Sequence, residues 1–160
     1  MATDYFLKLE GIKGESKDSK HKDEIDLLSF SWGATQTGSH AAGGGGGAGK
    51  VAFQDFHFVM KMNKASPLLL QAVATGKHIK QADLVARKAG GTQQEYLKIK
   101  FTDVLISSYQ SGGSQGGDDI PVEQISLNFA KINVEYADQK EDGSLNPATV
   151  ASYDLKANTK

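Results

Sequence analysis

Apolar and polar positions alternate with period two along much of the chain. Tyr5, Leu7 and Leu9 share a face of the segment Tyr5–Glu10, and Leu28, Phe30, Trp32 and Ala34 oppose Ser29, Ser31, Gly33, Thr35 and Thr37. Phe56, Phe58, Met60 and Met62 alternate with His57, Val59 and Lys61, and Leu97, Ile99, Phe101 and Leu105 with Lys98, Lys100 and Thr102. Successive side chains of a strand point to opposite faces, so this pattern predicts strands with one face in a core and one in water. Two stretches change phase: Phe53 is out of step with Phe56 and Phe58, and Ile125-Leu127-Phe129 gives way to Ile132-Val134-Tyr136. A phase change within a strand predicts a bulge, which bends a sheet and helps it curl toward a barrel. Turn signals separate the strands at Gly90-Gly91, Ser111-Gly112-Gly113-Ser114, Gly116-Gly117-Asp118 and Asp142-Gly143.

Ser66 to Gly76 departs from this pattern and predicts a short helix. Ser66 is placed to cap its first amides, Pro67 suits the first helical position, and Gly76 suits a left-handed C-terminal turn. Gln71 and Thr75 are the polar residues of its body, so two sides of the helix are expected to be covered, one by the sheet and the other by another subunit; a plain core helix fits the same pattern. Lys13–Glu24 (KGESKDSKHKDE) mixes both charges without periodicity and reads as a solvated loop.

Totals narrow the classes of function. The 160 residues are enough for one domain with a sizeable core, and 18 basic against 19 acidic residues give a formal charge of −1. That balance argues against nucleic acid or an anionic membrane as the main partner. The chain has no cysteine, which excludes disulfides, thiolate catalysis and thiolate metal sites. MATDYFLKLEG lacks the basic and apolar regions of a secretory signal, and no apolar run approaches the ~20 residues that span a bilayer. The expectation is synthesis as a soluble protein in the cytoplasm, with any export bypassing a cleaved signal.

Gly44–Val51 (GGGGAGKV) carries G-x-x-x-x-G-K, all but the last letter of a phosphate-binding P-loop. That motif needs a hydroxyl after the lysine and a helix starting there. Val51 occupies the hydroxyl position, and strand periodicity follows, so the nucleotide reading fails. Five consecutive glycines, Gly43 to Gly47, are entropically costly to order. Their contacts would have to come from a partner surface, which makes the stretch a candidate association loop. His21, His40, His57 and His78 show no metal-ligand spacing, no G-x-S-x-G turn is present, and Asp118-Asp119 and Glu141-Asp142 sit in turns. No catalytic, metal-binding or cofactor-binding residues are expected.

Six ordered blocks then carry a resemblance: KGESKDSKHKDEIDLLSFSWG, GGGGGAGKVAFQDFHF, SPLLLQAVATGKHI, LVARKAGGTQQEYLKIKF, ISSYQSGGS and VEQISLNFAKINVEY. From about Asp4 to Gln139 the chain resembles the Hcp (haemolysin-coregulated) proteins, which form the inner tube of bacterial type VI secretion systems. Tyr153 stands where that family commonly has tryptophan, and no fused effector enzyme is expected at the C-terminus. The resemblance implies a mostly β fold, a barrel of two sheets with one short helix at its side, as a single domain over residues 1–160. It also implies homohexameric rings that stack into a tube, with spike, sheath and baseplate proteins as partners, small effector proteins in the channel, and secretion into a target cell.

On that frame His40, Gly43, Gly44, Gly45, Gly46, Gly47, Gly49 and Lys50 are expected to stack rings. Ser29, Ser31, Thr35 and Thr37 are expected to line the channel, and Leu68, Leu69, Gln71 and Ala72 to meet the next subunit. A competing expectation is a monomeric barrel that binds a ligand or carbohydrate. It is disfavoured because Trp32, the one tryptophan, lies on an apolar face and no exposed aromatic cluster is evident. A hydrolase would need a nucleophile with a base, which the sequence does not reveal.

Overall fold

The computed structural model describes residues 3–36, 51–88, 93–117 and 119–160. Its spine is a pair of long antiparallel strands, β8 (Gln94–Gly112) and β9 (Val122–Tyr136). β7 (His78–Lys88) lies on the other side of β8, followed by β1 (Thr3–Leu9) and then β2 (Ile25–Leu27). The outer edge of β9 is shared. Its first half pairs with β6 (Phe56–Lys61), which pairs with β3 (Ser29–Ser31); its second half pairs with β10 (Thr149–Asp154). β4 (Ala34–Gln36) and β5 (Val51–Phe53) form a separate two-stranded ribbon.

The sheet closes through one short segment. Ile25–Leu27 pairs with β1 at one end of the strand order, and Ser29–Ser31, two residues on, pairs with β6 at the other end. At the junction the Leu28 amide donates to the Val59 carbonyl at 2.8 Å. The inward face changes there as well. Ile25 and Leu27 are buried and Phe30 and Trp32 pack against the core, while Leu28 is 51% exposed, not on the apolar face expected of it.

A second change of face crosses three strands at once. Ile79, Val104 and Phe129 are paired and inward; so are Ala82, Phe101 and Ile132, three positions along each strand. An odd spacing reverses the face, so the sheet bends sharply along this line, where Asp103 takes a positive φ of 56°. The expected change of face between Phe129 and Ile132 is therefore present, and it moves Val104 and Ile106 inward in place of Leu105, but without the expected bulge, since β8 and β9 stay in register across it. Their register shifts instead between Ile106 and Ser108. Phe53 and Phe56 are out of step for a different reason from that expected: they belong to two strands in two sheets. Phe53 packs inward from the ribbon against Phe129 and Tyr153.

Helix α1 (Ser66–Thr75) follows β6 and ends on Gly76 at φ 66°, where a left-handed turn lets the Lys77 amide reach the Ala72 carbonyl. Ser66 is not its cap. Ala65 holds the cap position, and the Ser66 hydroxyl accepts from the Asn63 amide while donating to the carboxylate of Glu123. Glu123 is fully buried and also accepts from Tyr109 Oη, so a charged residue deep in the protein anchors the start of the helix. Burial first, and Glu123 second, push the Tyr109 hydroxyl above its ordinary pKa and keep it a donor.

Candidate assembly surface

Lys13–Glu24 is an anchored element, not a solvated loop. It folds back on itself through bonds from the Gly14 amide to the Asp23 carbonyl (2.8 Å) and from the Ser16 amide to the Glu24 carbonyl (3.0 Å). Gly14 is needed for that approach, since a β-carbon there would lie 2.5 Å from the Glu24 carbonyl oxygen. The loop is pinned to β1 and β7 by a layered stack. The His21 ring lies 4.3 Å from Phe6 and nearly parallel to it, and the Arg87 guanidinium sits 4.9 Å from the same ring. His21 Nδ1 is 3.0 Å from Glu24 and Nε2 is 2.7 Å from Glu95, so the ring bridges the two carboxyl groups. Arg87, 2% exposed, donates two parallel bonds to Asp18 at 3.0 and 2.7 Å and a third to Asp4 at 3.2 Å.

The bond from Arg87, helped by the Lys20 amide, holds the Asp18 carboxyl well below the usual carboxylate range. A group with a depressed native pKa stabilises the fold at every pH above its unfolded value. The loop is thus secured at neutral pH, and this contribution declines progressively as pH falls below the ordinary carboxylate range.

The far part of the pinned loop, Ser19–Glu24, forms one wall of a cleft of about 780 Å³ whose other wall runs from Lys8 at the end of β1 to Lys13, with the start of α1 at its rim. Lys8, Lys13, Lys20, Lys22 and Lys64 line it, together with Leu9, Ile12 and Leu68. On the helix, Leu69 and Ala72, expected at a subunit interface, are buried in the chain's own core. The spacing of three and four residues turns them to the sheet and leaves Leu68 (44% exposed), Leu70 (54%) and Gln71 outward. Ser29, Ser31 and Thr35 are exposed. Thr37 and the Gly-rich stretch containing His40, Gly43, Gly44, Gly45, Gly46, Gly47, Gly49 and Lys50 lie outside the described residues, as does the turn Gly90-Gly91.

One polar pair was not legible in the sequence: His57 Nδ1 lies 3.0 Å from Ser126 Oγ across the β6–β9 ladder. Among the described residues no carboxylate orients His57, and the pair serves as a cross-strand tie. Among those residues, too, no group of three metal-ligating side chains converges, and no helix is long and apolar enough to cross a membrane.

A nearly closed antiparallel barrel with exposed leucines on its helix and a charged side cleft defines a protein whose described surface offers sites for docking. The family described as "Type VI secretion system effector, Hcp" matches residues 6–136. The chain is 52% identical over 145 residues to Protein hcp1 of Pseudomonas aeruginosa, covering 90% of this chain and 89% of that one. Among solved structures, Hcp1 from Salmonella typhimurium superposes with a TM-score of 0.79 at 39% identity, covering 99% of both chains. A structure described as a type six secretion system protein gives a TM-score of 0.93 at 31% identity, also over 99% of both. The chain belongs to the Hcp family and is a component of type VI secretion.

Proposed function

We propose that this chain is the repeating unit of a type VI secretion tube, doing its work by geometry and not by catalysis. Copies join head to tail into homohexameric rings, rings stack, and the open centre carries small effector proteins. Spike, sheath and baseplate proteins are its partners, and the assembled tube leaves the cell. Family membership supplies the context, and the observation that carries the reading is the exposure of Leu68 and Leu70, which stand in solvent on the two flanks of a helix only ten residues long. Exposed apolar side chains grouped on one element suit a surface completed by another subunit. The small, uncharged Ser29, Ser31 and Thr35 suit a channel wall that lets cargo pass without a strong hold.

Native mass spectrometry tests the ring. The expected particle is a sixfold multiple of the 17.1 kDa chain, and Leu70→Lys is expected to shift it toward monomer. A wild-type monomer at every concentration overturns the reading and favours the ligand-binding barrel instead.

The composition of Gly43–Lys50 supports a role between rings. Hydrogen exchange of this stretch is expected to slow when rings stack into tubes; equal protection in rings and tubes would remove it from the junction.

A further inference from the structure

We infer that the lysine-lined cleft receives the acidic turn Glu141-Asp142 of the next copy, and that this is a head-to-tail contact of the ring; the inference rests on the ring reading above. The cleft carries an excess of unanswered positive charge. Lys8 and Lys13 stand on one wall and Lys20 and Lys22 on the other, and among the described residues none has a carboxylate within 4 Å. Of the acidic groups that line the same cleft, Glu24 is engaged by His21 and Asp23 lies 3.9 Å from Lys64, which leaves Glu10. Like charges gathered in a concave site favour an anionic occupant and steer its approach.

The chain itself presents such an occupant. Between β9 and β10 it makes a tight turn, closed by the Lys140 amide on the Ser144 carbonyl (2.7 Å) and the Gly143 amide on the Lys140 carbonyl (3.0 Å). Glu141 and Asp142 are exposed at its tip, and the Ser144 hydroxyl and amide hold the Asp142 carboxyl below its ordinary pKa. The turn is closed by its own hydrogen bonds and carries its charge before it meets a partner, which lowers the ordering cost of docking. Tyr136 (52% exposed) and Val150 (55%) flank it, apolar counterparts for Leu68 at the cleft rim.

Topology puts the two patches apart in the way a repeating contact needs. In the half of the barrel that holds β10, strand order runs β2-β1-β7-β8-β9-β10. The cleft lies at the β1–β2 edge and the turn at the β9–β10 edge, five strand spacings or about 24 Å along the sheet. Each copy therefore gives its turn to one neighbour and its cleft to another, which is the form of a heterologous interface that closes into a ring.

Charge reversal tests this with a rescue. The first variant carries Lys20→Glu and Lys22→Glu, with Lys8→Glu and Lys13→Glu on the opposite wall as an independent version. The second carries Glu141→Lys and Asp142→Lys. Each variant alone is expected to need about tenfold or more protein to half-assemble. An equimolar mixture of cleft and turn variants is expected to recover rings that alternate the two chains, since each reversed cleft then meets a reversed turn. Native mass spectrometry reads the alternating composition directly, and circular dichroism checks that each variant is folded. If the wild type forms rings and the variants assemble equally well, the contact is overturned while the ring stands; loss without recovery on mixing also overturns it. A wild type that never leaves the monomer overturns the ring reading and this contact together.

Discussion

Phe56→Ala destabilises the protein by about 3–5 kcal/mol, the cost of removing a large aromatic from a core that cannot fully close on the space. Phe56 has no exposed surface, and its ring lies 4.8 Å from Phe101, 5.8 Å from Phe30 and 6.0 Å from Phe58. The stack runs on from Phe101 to Phe129 at 4.8 Å, and from Phe129 to Phe53 on the ribbon. Phe56 pairs with Leu127 near the point where β9 exchanges β6 for β10, so strands on every side are held by their own ladders. A urea titration is expected to show a lowered midpoint with an unchanged slope. Phe56→Leu, which keeps most of the volume, is expected to recover more than half of the loss. A shift below about 1 kcal/mol for the alanine variant would mean that neighbouring rings collapse into the vacancy.

Gly14→Ala is expected to cost about 1–3 kcal/mol, the range for forcing an extra carbon into close packing. Besides the Glu24 oxygen, the new β-carbon would meet the Glu24 carbonyl carbon and Ile25 Cα, both at 2.8 Å. These are backbone atoms and cannot rotate away. Relief requires Lys13–Glu24 to part from itself, which loosens Asp18 from Arg87 and His21 from Glu95. Lys20 and Lys22 move with that wall, so the variant is also expected to assemble less well. Lys13→Ala, at an exposed neighbour, is expected to change stability by no more than about 0.5 kcal/mol. Denaturant midpoints of the pair decide the matter: a solvated loop would leave both neutral.

That loop marks the boundary of what the sequence makes legible. Where large apolar residues alternate with lysines and serines, as in β1, β6, β8 and β9, the strands can be read directly. β7 is faint because its inward positions include the small Ala82 and Ala86, and because its phase turns over after Ile79. Lys13–Glu24 is fainter still. Its inward residues are Gly14, Ser16 and His21, none of which registers as hydrophobic, and its anchors Phe6, Arg87 and Glu95 are remote in the chain. Long-range ion pairs leave no periodic trace. The same holds for Ser66, whose place before Pro67 reads as a helix cap until Glu123, 57 residues away, claims its hydroxyl. Of the assembly surfaces, the helix is legible as an element, but which of its leucines face outward depends on how α1 lies on the sheet.

β1 leaves the ribosome well before β7, its full-length partner, with Thr3 opposite Lys88 and Leu9 opposite Ala82. Some eighty further residues must be synthesised before β1 can zip into place. Pairings this distant in sequence place folding in about the millisecond-to-second range, not the microseconds of helical bundles. Until then Leu7, Leu9, Ile25 and Leu27 have no cover, and nascent chains crowded on one message run the risk of sticking to one another before they mature.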